Sequence, residues 1–291
     1  MRLRVLILLM SLAAVLHSRA KEVAAEVFPF EFREGLLWVA VQVPQTNRVL
    51  HFLLDSGAEA SVVDLTTAKS LGLKLGARVD VRGVRTSTEA YWSGIVWAKA
   101  GSTALPNRWL ALDLAPLSGS CERRVDGLIG LDFFRNKIVQ IDFRDGKVRR
   151  IDAGRDNNQV ENAAVALEVR RCGMCIRASI NGQRAAPFRV DTGCASGLQW
   201  VVGSKLLRGC PSKLAVGLAE LGIPQTRTKV KIGNHELVDV ETGLHDTAIF
   251  EGESGLLGNS VLCQFETLTI DAVRGKLVLG PRRAPSEATA H

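Results

Sequence analysis

The stretch F-L-L-D-S-G-A at residues 52–58 is decisive for this chain, because F-R-V-D-T-G-C at residues 188–194 repeats its pattern. In each stretch an apolar run of the kind that forms a buried strand leads into Asp, a small hydroxyl residue and Gly. A single triplet of this kind usually marks only a turn, since Asp, Ser and Gly are common turn residues. Two copies, each behind a strand-like run, call for a shared explanation.

The sequence downstream of each triplet is repeated as well. Residues 127–148 read G-L-I-G-L-D-F-F-R-N-K-I-V-Q-I-D-F-R-D-G-K-V, and residues 255–277 read G-L-L-G-N-S-V-L-C-Q-F-E-T-L-T-I-D-A-V-R-G-K-L. With one inserted residue, the G-φ-φ-G motifs align (φ is an apolar residue), and so do Asp142 and Asp271. Two copies are too few for a solenoid, so the repeat predicts two packed lobes.

The periodicity favours an all-β chain with short helices, because most segments alternate or stay apolar over only four to eight residues. The domain organisation follows from the repeat and from composition. We expect a signal peptide at 1–20, a first lobe at 21–151, a polar linker at 152–162, a second lobe at 163–280 and a disordered tail at 281–291.

The first twenty residues have a basic start, an apolar run and a small-residue ending at Ala20, which is typical of a secretory signal peptide. An uncleaved membrane anchor is the alternative, but the apolar run is short for a span of about 20 residues. We therefore expect a secreted or periplasmic protein without stable membrane insertion. The net charge of +7 is scattered and aromatic residues are only 5% of the chain, which argues against a nucleic-acid partner.

Six cysteines, five of them in the second half, permit several disulfide pairings that the sequence does not choose between. The pair in Cys172-Gly-Met-Cys175 has the spacing of half a zinc site or a redox motif. No second such pair and no matching His pair completes a zinc site. A structural disulfide or a free buried thiol is therefore favoured, and no metal or cofactor is expected.

Two lobes related by a pseudo-twofold axis bring equivalent residues together at the axis. Asp55 and Asp191 would then form a pair of carboxyl groups, of which one keeps a proton while the other stays charged. Such a pair supplies a general acid and a general base at one pH. Asp142 and Asp271 are also equivalent, but each stands before a turn and is interpreted as a turn-former.

The chain resembles the aspartic peptidases, both the two-lobed pepsin type and the single-lobe retroviral type, and bacterial retropepsin-like domains especially. Phe52 to Ala58 with Leu128-Ile129-Gly130 carry the resemblance in the first lobe, and Arg189 to Gly193 with Leu256-Leu257-Gly258 carry it in the second. The similarity covers residues 36–280. It implies two β-barrel lobes that pair within one monomeric chain, a polypeptide substrate and endopeptidase activity.

The resemblance also implies roles for individual residues. The implied set comprises the catalytic Asp55 and Asp191, and Ser56, Gly57, Thr192 and Gly193, which support their loops. A flap over the substrate is expected at residues 81–91. Its candidate residues are Gly83, Thr86, Ser87 and Tyr91. Tyr91 either covers the cleft or packs at the base of the hairpin.

The second loop departs from the family pattern, because Cys194 stands where the family usually has Ala, Ser or Thr, and Arg189 interrupts the apolar run. Two alternatives therefore stay open beside the active peptidase. One is a catalytically silent peptide-binding module with the same two-lobe fold, and the other is a dimer in which each lobe pairs with a lobe of another chain.

Overall fold

The computed structural model describes residues 26–83, 86–152, 164–207, 209–216 and 220–283. Short strands dominate these residues, which confirms the prediction of an all-β chain with short helices. The predicted signal peptide, nearly all of the predicted linker and most of the predicted tail lie outside the described residues. None of the described helices is long and apolar enough to cross a membrane.

The strands fall into two sets, here called the first half (up to residue 152) and the second half (from residue 164). The strands of the first half are β1 (Glu26–Pro29), β2 (Glu31–Arg33), β3 (Leu36–Val41), β4 (Leu50–Leu54), β5 (Val62–Asp64), β6 (Leu75–Gly83), β7 (Thr86–Ile95), β8 (Lys99–Ala100), β9 (Thr103–Ala104), β10 (Arg108–Leu112), β11 (Gly127–Ile129), β12 (Ile138–Asp142) and β13 (Lys147–Ile151).

The second half has fewer but longer strands. They are β14 (Ala164–Val169), β15 (Met174–Ile180), β16 (Ala186–Val190), β17 (Leu198–Val201), β18 (Ser212–Val216), β19 (Glu220–Ile232), β20 (His235–His245), β21 (Gly255–Leu257), β22 (Thr267–Asp271) and β23 (Lys276–Leu279). The described helices are α1 (Leu65–Ser70), α2 (Ala115–Gly119), α3 (Leu131–Phe134), α4 (Asn259–Leu262) and a 3-10 turn, Ser204–Leu207.

The order of strand pairing in the first half recurs in the second. The first sheet runs β2-β3-β4-β11-β5-β10-β7-β6, and part of a larger sheet runs β14-β15-β16-β21-β17-β20-β19-β18. In both, the strand that carries G-φ-φ lies parallel to the strand before the Asp triplet and antiparallel to the next strand. In the second half β19 also pairs with β15, which closes β15, β16, β21, β17, β20 and β19 into a six-stranded barrel.

The halves share one sheet through β12 and β22, which pair antiparallel with Val139 opposite Ile270. Both residues are fully buried and belong to a core that extends across the two halves. Asp142 and Asp271 end these strands, and each accepts a backbone hydrogen bond from the turn that follows, from Asp145 and from Arg274. Both therefore stabilise turns, as the sequence indicates.

The predicted disorder of the tail is wrong for its first three residues. The amide of Glu266 donates to the carbonyl of Pro281, Phe265 and Arg282 form an antiparallel bridge, and the amide of Arg283 donates to the carbonyl of Gln264. Backbone hydrogen bonds to the neighbouring strands thus extend order to residue 283.

Candidate active site

Asp55 and Asp191 occupy matching places at the ends of two buried strands. Asp55 follows β4 and its amide donates to the carbonyl of Ile129 at 2.9 Å. Asp191 follows β16 and its amide donates to the carbonyl of Leu257 at 3.0 Å. Each triplet is therefore fixed to the G-φ-φ strand of its own half, which explains why the two motifs recur together in the sequence.

Four hydrogen bonds join the two triplets through the fully buried hydroxyl residues Ser56 and Thr192. The amide of Ser56 donates to Oγ1 of Thr192 at 2.9 Å, and the amide of Thr192 donates to Oγ of Ser56 at 3.1 Å. Each hydroxyl then donates at 2.8 Å to a carbonyl of the opposite strand, Oγ of Ser56 to Val190 and Oγ1 of Thr192 to Leu54. Each half thus supplies both donors and acceptors to the other, and the two loops are locked together.

The two glycines bring each backbone against the carboxyl group of the opposite loop. A Cβ built on Gly57 would lie 2.4 Å from Oδ1 of Asp191, and one built on Gly193 would lie 2.4 Å from Oδ1 of Asp55. Each carboxyl group therefore lies directly against the loop that carries the other one. The structure therefore brings the two predicted acids together within one chain.

Asp55 and Asp191 differ in how well their charged forms are stabilised. Oδ1 of Asp55 accepts hydrogen bonds from the amides of Gly57 and Ala58 at 2.9 and 3.0 Å, whereas Oδ1 of Asp191 accepts one from the amide of Gly193 at 2.9 Å. Burial raises the pKa of both groups, and the neighbouring charge of Asp55 helps to raise the pKa of Asp191 to about 8. Backbone donors favour a carboxylate, so the charged form is stabilised better at Asp55 than at Asp191.

Arg189, the residue that interrupts the apolar run, lies fully buried behind the pair. Its Nε and Nη2 donate to the two carboxylate oxygens of Glu253 at 2.9 and 2.8 Å, and both side chains are at most 4% exposed. Its guanidinium carbon lies 3.4 Å from the centre of the Phe250 ring. This forked geometry is the one that satisfies a buried guanidinium best.

Arg189 also connects the two halves. Its Nη1 donates at 2.8 Å both to the carbonyl of Gly57, in the first triplet, and to the carbonyl of Cys172. Gly173 leaves room for the guanidinium, since a Cβ there would lie 2.7 Å from its central carbon. The positive charge favours the ionised form of both acids, and this lowers the pKa of Asp55 and Asp191 against the effect of burial.

The Cys172-Gly-Met-Cys175 segment packs against Arg189. All six cysteines lie among the described residues and each is a free thiol, so no disulfide joins Cys172 to Cys175. No group of three His, Cys, Asp or Glu side chains with metal-binding geometry occurs in the described part of the chain. Within the motif, Gly173 has a clear structural role, because its lack of a side chain leaves room for Arg189.

Cys194 does not displace the second triplet. Its Sγ lies 3.1 Å from Oγ of Ser196, and its amide lies within the Asp191 turn. Burial is the main reason that the pKa of the Cys194 thiol is raised to about 12. The thiol therefore stays neutral beside the acids.

A cleft of about 1740 Å³ runs over the two acids and is lined by both halves. This volume exceeds the range of about 300–1,000 Å³ typical of small-molecule pockets. Residues from β6 cover it on one side, among them Val79, Val81 and Gly83. The cleft is therefore suited to an extended chain rather than to a compact ligand.

The predicted flap region forms a β6–β7 hairpin, with Gly83 opposite Thr86. Gly83 lines the cleft, whereas Ser87 is exposed and is not among the cleft-lining residues. Tyr91 also lies outside the cleft, and its hydroxyl contacts Oε2 of Glu89 at 3.4 Å. The aromatic residue of this hairpin that lines the cleft is Trp92, which the sequence analysis missed.

Replacing Gly57 with Ala is expected to lower kcat/KM about 100-fold, because the new methyl group would displace the carboxyl group of Asp191 by a fraction of an ångström or more. Steady-state kinetics measure the effect. Gly203→Ala is the matched control, since a Cβ at that exposed position meets no atom within 4 Å. Equal activity of the two variants would contradict the close approach at Gly57.

Comparison with protein families gives a match for one segment of the chain. Residues 39–133 match the sequence model of a family described as aspartyl protease. A search of curated proteins found no match. The matched segment contains Asp55, the first G-φ-φ-G motif and Ser56, whose hydroxyl helps to join the two triplets. It ends before Asp191. This match supports a relation of the chain to the aspartic peptidase family.

Proposed function

We propose that the protein is an exported aspartic endopeptidase in which Asp55 and Asp191 form one catalytic pair. The observation that carries the proposal is the close approach of the two carboxyl groups, each packed against the glycine of the opposite triplet, in a cleft lined by both halves. The aspartyl protease match of residues 39–133 supports peptidase activity independently. Export rests on the signal-like residues 1–20.

The recurring strand order supports two lobes related by a pseudo-twofold axis, with the triplets at the axis. In this arrangement the predicted lobes at 21–151 and 163–280 pair within a single chain, so no second chain is needed to complete the pair. The four hydrogen bonds that join the triplets within one chain favour this monomer over pairing between chains.

The asymmetry of the acids assigns their roles. The ionised Asp55 takes a proton from a water molecule as the water oxygen attacks the carbonyl carbon of the scissile peptide bond. Asp191 donates its proton to the carbonyl oxygen, which gives a neutral tetrahedral diol. Asp55 then donates the proton that it took from water to the leaving nitrogen, while Asp191 takes a proton from a hydroxyl of the diol. The carbon–nitrogen bond breaks, the new carboxyl group forms and the pair returns to its starting state. The departures at Arg189 and Cys194 leave both triplets hydrogen-bonded, which favours hydrolysis over a silent binding module.

The pH profile of kcat/KM tests this assignment. Activity is expected to be highest in acidic to mildly acidic solution and to fall as pH rises through about 8, because Asp191 then loses the proton that it donates. On the acid side, activity falls as Asp55 becomes protonated. Initial rates on a mixed peptide library, measured from about pH 3 to about pH 10, give the profile.

A statine-type inhibitor is expected to abolish the cleavage, and a chelator is expected to leave it unchanged. Hydrolysis that increases beyond about pH 9, or that resists the statine, contradicts the acid pair.

A further inference from the structure

The two halves line the cleft with side chains of different chemistry at matching positions. In the first half one row crosses three neighbouring strands, with Leu110 of β10 opposite Val62 of β5 on one side and Trp92 of β7 on the other. All three residues line the cleft. This row therefore offers a substrate an apolar surface.

The corresponding row in the second half crosses β17, β20 and β19. Gly243 of β20 lies opposite Gln199 of β17 and opposite Gln225 of β19. Both glutamines line the cleft. Two carboxamides and a glycine thus replace the Val, Trp and Leu of the first half.

The carboxamide of Gln199 is held in one orientation. Its Oε1 lies 2.7 Å from Nε2 of the buried His245, and its Nε2 donates to Oγ of Ser196 at 2.6 Å. Gly243 makes this possible, since a Cβ there would lie 2.3 Å from Oε1 of Gln199. A carboxamide fixed by neighbouring groups is a selective partner, because little freedom is lost when it binds.

Gln225 provides an acceptor for a ligand. Its Nε2 donates to the carbonyl of Ile223 at 3.3 Å, while its Oε1 is buried and has no hydrogen-bond partner among the described residues. A buried acceptor without a partner is unfavourable, and a substrate donor that reaches it removes the penalty.

Charged side chains fit this place less well. Lys213 and Glu241 also line this part of the cleft, but their charges are paired with each other at 3.0 Å. A charged substrate group would lose water without gaining an opposite free charge. A neutral carboxamide can donate to Gln225 and also accept from a donor, so it matches the row better than an ammonium or a carboxylate.

We propose that the second half forms a polar subsite that selects a carboxamide side chain, Asn or Gln, on one side of the scissile bond, while the first half takes an apolar side chain on the other. The inference rests on the proposed peptidase function and names its substrate class. Gln199 and Gln225 are the specificity-determining residues.

Two pairs of peptides test the proposal. Each peptide carries Leu on one side of the scissile bond and either Gln or Met on the other, in both orders. Met has nearly the shape of Gln but cannot form its hydrogen bonds. In one of the two orders the wild-type protein is expected to cleave the Gln peptide with a kcat/KM at least about 10-fold above that of the Met peptide.

The Gln225→Met variant removes the buried acceptor with little change of shape. It is expected to lower the Gln-to-Met ratio of kcat/KM at least about 10-fold, because the substrate carboxamide then has no partner at this position. Gln183→Met, at an exposed turn position that does not line the cleft, is the matched control and is expected to keep the wild-type ratio. If Gln225→Met keeps the wild-type Gln-to-Met ratio of kcat/KM, the proposal is overturned.

Binding measured by calorimetry on the Asp191→Asn variant separates the two ideas. If the wild-type protein cleaves both peptides equally in both orders, the peptidase stands and the polar subsite is wrong. If the wild-type protein cleaves neither peptide but the variant binds the Gln peptide at least about 10-fold more tightly, the subsite stands and the peptidase is wrong.

Discussion

Replacing either Asp55 or Asp191 with Asn is expected to lower kcat/KM at least about 1,000-fold, because the pair loses either its base or its acid. The double variant is expected to be hardly worse than either single one, since groups that act as a unit do not contribute additively. Cleavage of a peptide library by the purified protein from residue 21 onward measures the loss. Residual activity near the wild-type level in either single variant contradicts the assignment.

A folding control distinguishes lost chemistry from lost structure. Burial raises the pKa of Asp191 to about 8 in the folded protein. Its contribution to the free energy of unfolding is therefore fully present below the unfolded pKa, near 3.8, and is lost as pH rises towards about 8. Asp191→Asn removes this contribution. Its urea unfolding should accordingly depend less steeply on pH across that range than the wild-type unfolding does.

Replacing Arg189 with Leu is expected to lower the free energy of unfolding by about 3–5 kcal/mol, because it leaves the buried carboxylate of Glu253 without its partner. The carbonyls of Gly57 and Cys172 lose a donor as well. Urea denaturation measures the loss. Lys229→Leu is the control: its pair with Glu236 has both side chains 52% exposed, so it should change stability by at most about 1 kcal/mol.

The first half indicates how the loss can be reversed. Leu53 and Val125 stand in the first half where Arg189 and Glu253 stand in the second, at the same distances from Asp and from G-φ-φ-G, and both are buried in one apolar cluster. Arg189→Leu/Glu253→Val should therefore recover most of the stability lost in Arg189→Leu. Its activity profile should extend to higher pH, since removing the cation raises the pKa of both acids. A double variant as unstable as Arg189→Leu would contradict this exchange of an ion pair for an apolar pair.

The sequence was most informative where the repeat and local chemistry agree. The two triplets with their G-φ-φ-G partners predicted the strands, the cross-linking hydroxyls and the meeting of Asp55 with Asp191. These features depend on short sequence motifs that determine local structure. The predicted disorder of residues 281–283 failed because their backbone hydrogen bonds go to residues close in space that composition does not indicate.

The role of Arg189 could not be predicted from its own strand, where it is simply an interruption. Its partner Glu253 lies 64 residues further along the chain, and the residues next to either one do not indicate that the two form a buried ion pair. A comparison of the two halves holds the missing signal, since Leu53 and Val125 change to Arg189 and Glu253 together. Trp92 was missed for a different reason. Neighbouring residues of a strand face opposite sides, and the resemblance drew attention to Tyr91, one position away.

The four buried hydrogen bonds between the triplets determine where the cleft can widen. Separating the halves at its floor would break all four at once and expose Ser56 and Thr192. The opposite side of the cleft is lined by β6, which is the edge strand of its sheet and is hydrogen-bonded to β7. We therefore expect the proposed polypeptide substrate to enter by movement of the hairpin and not by separation of the halves, so that the spacing of the two acids stays constant during entry and product release.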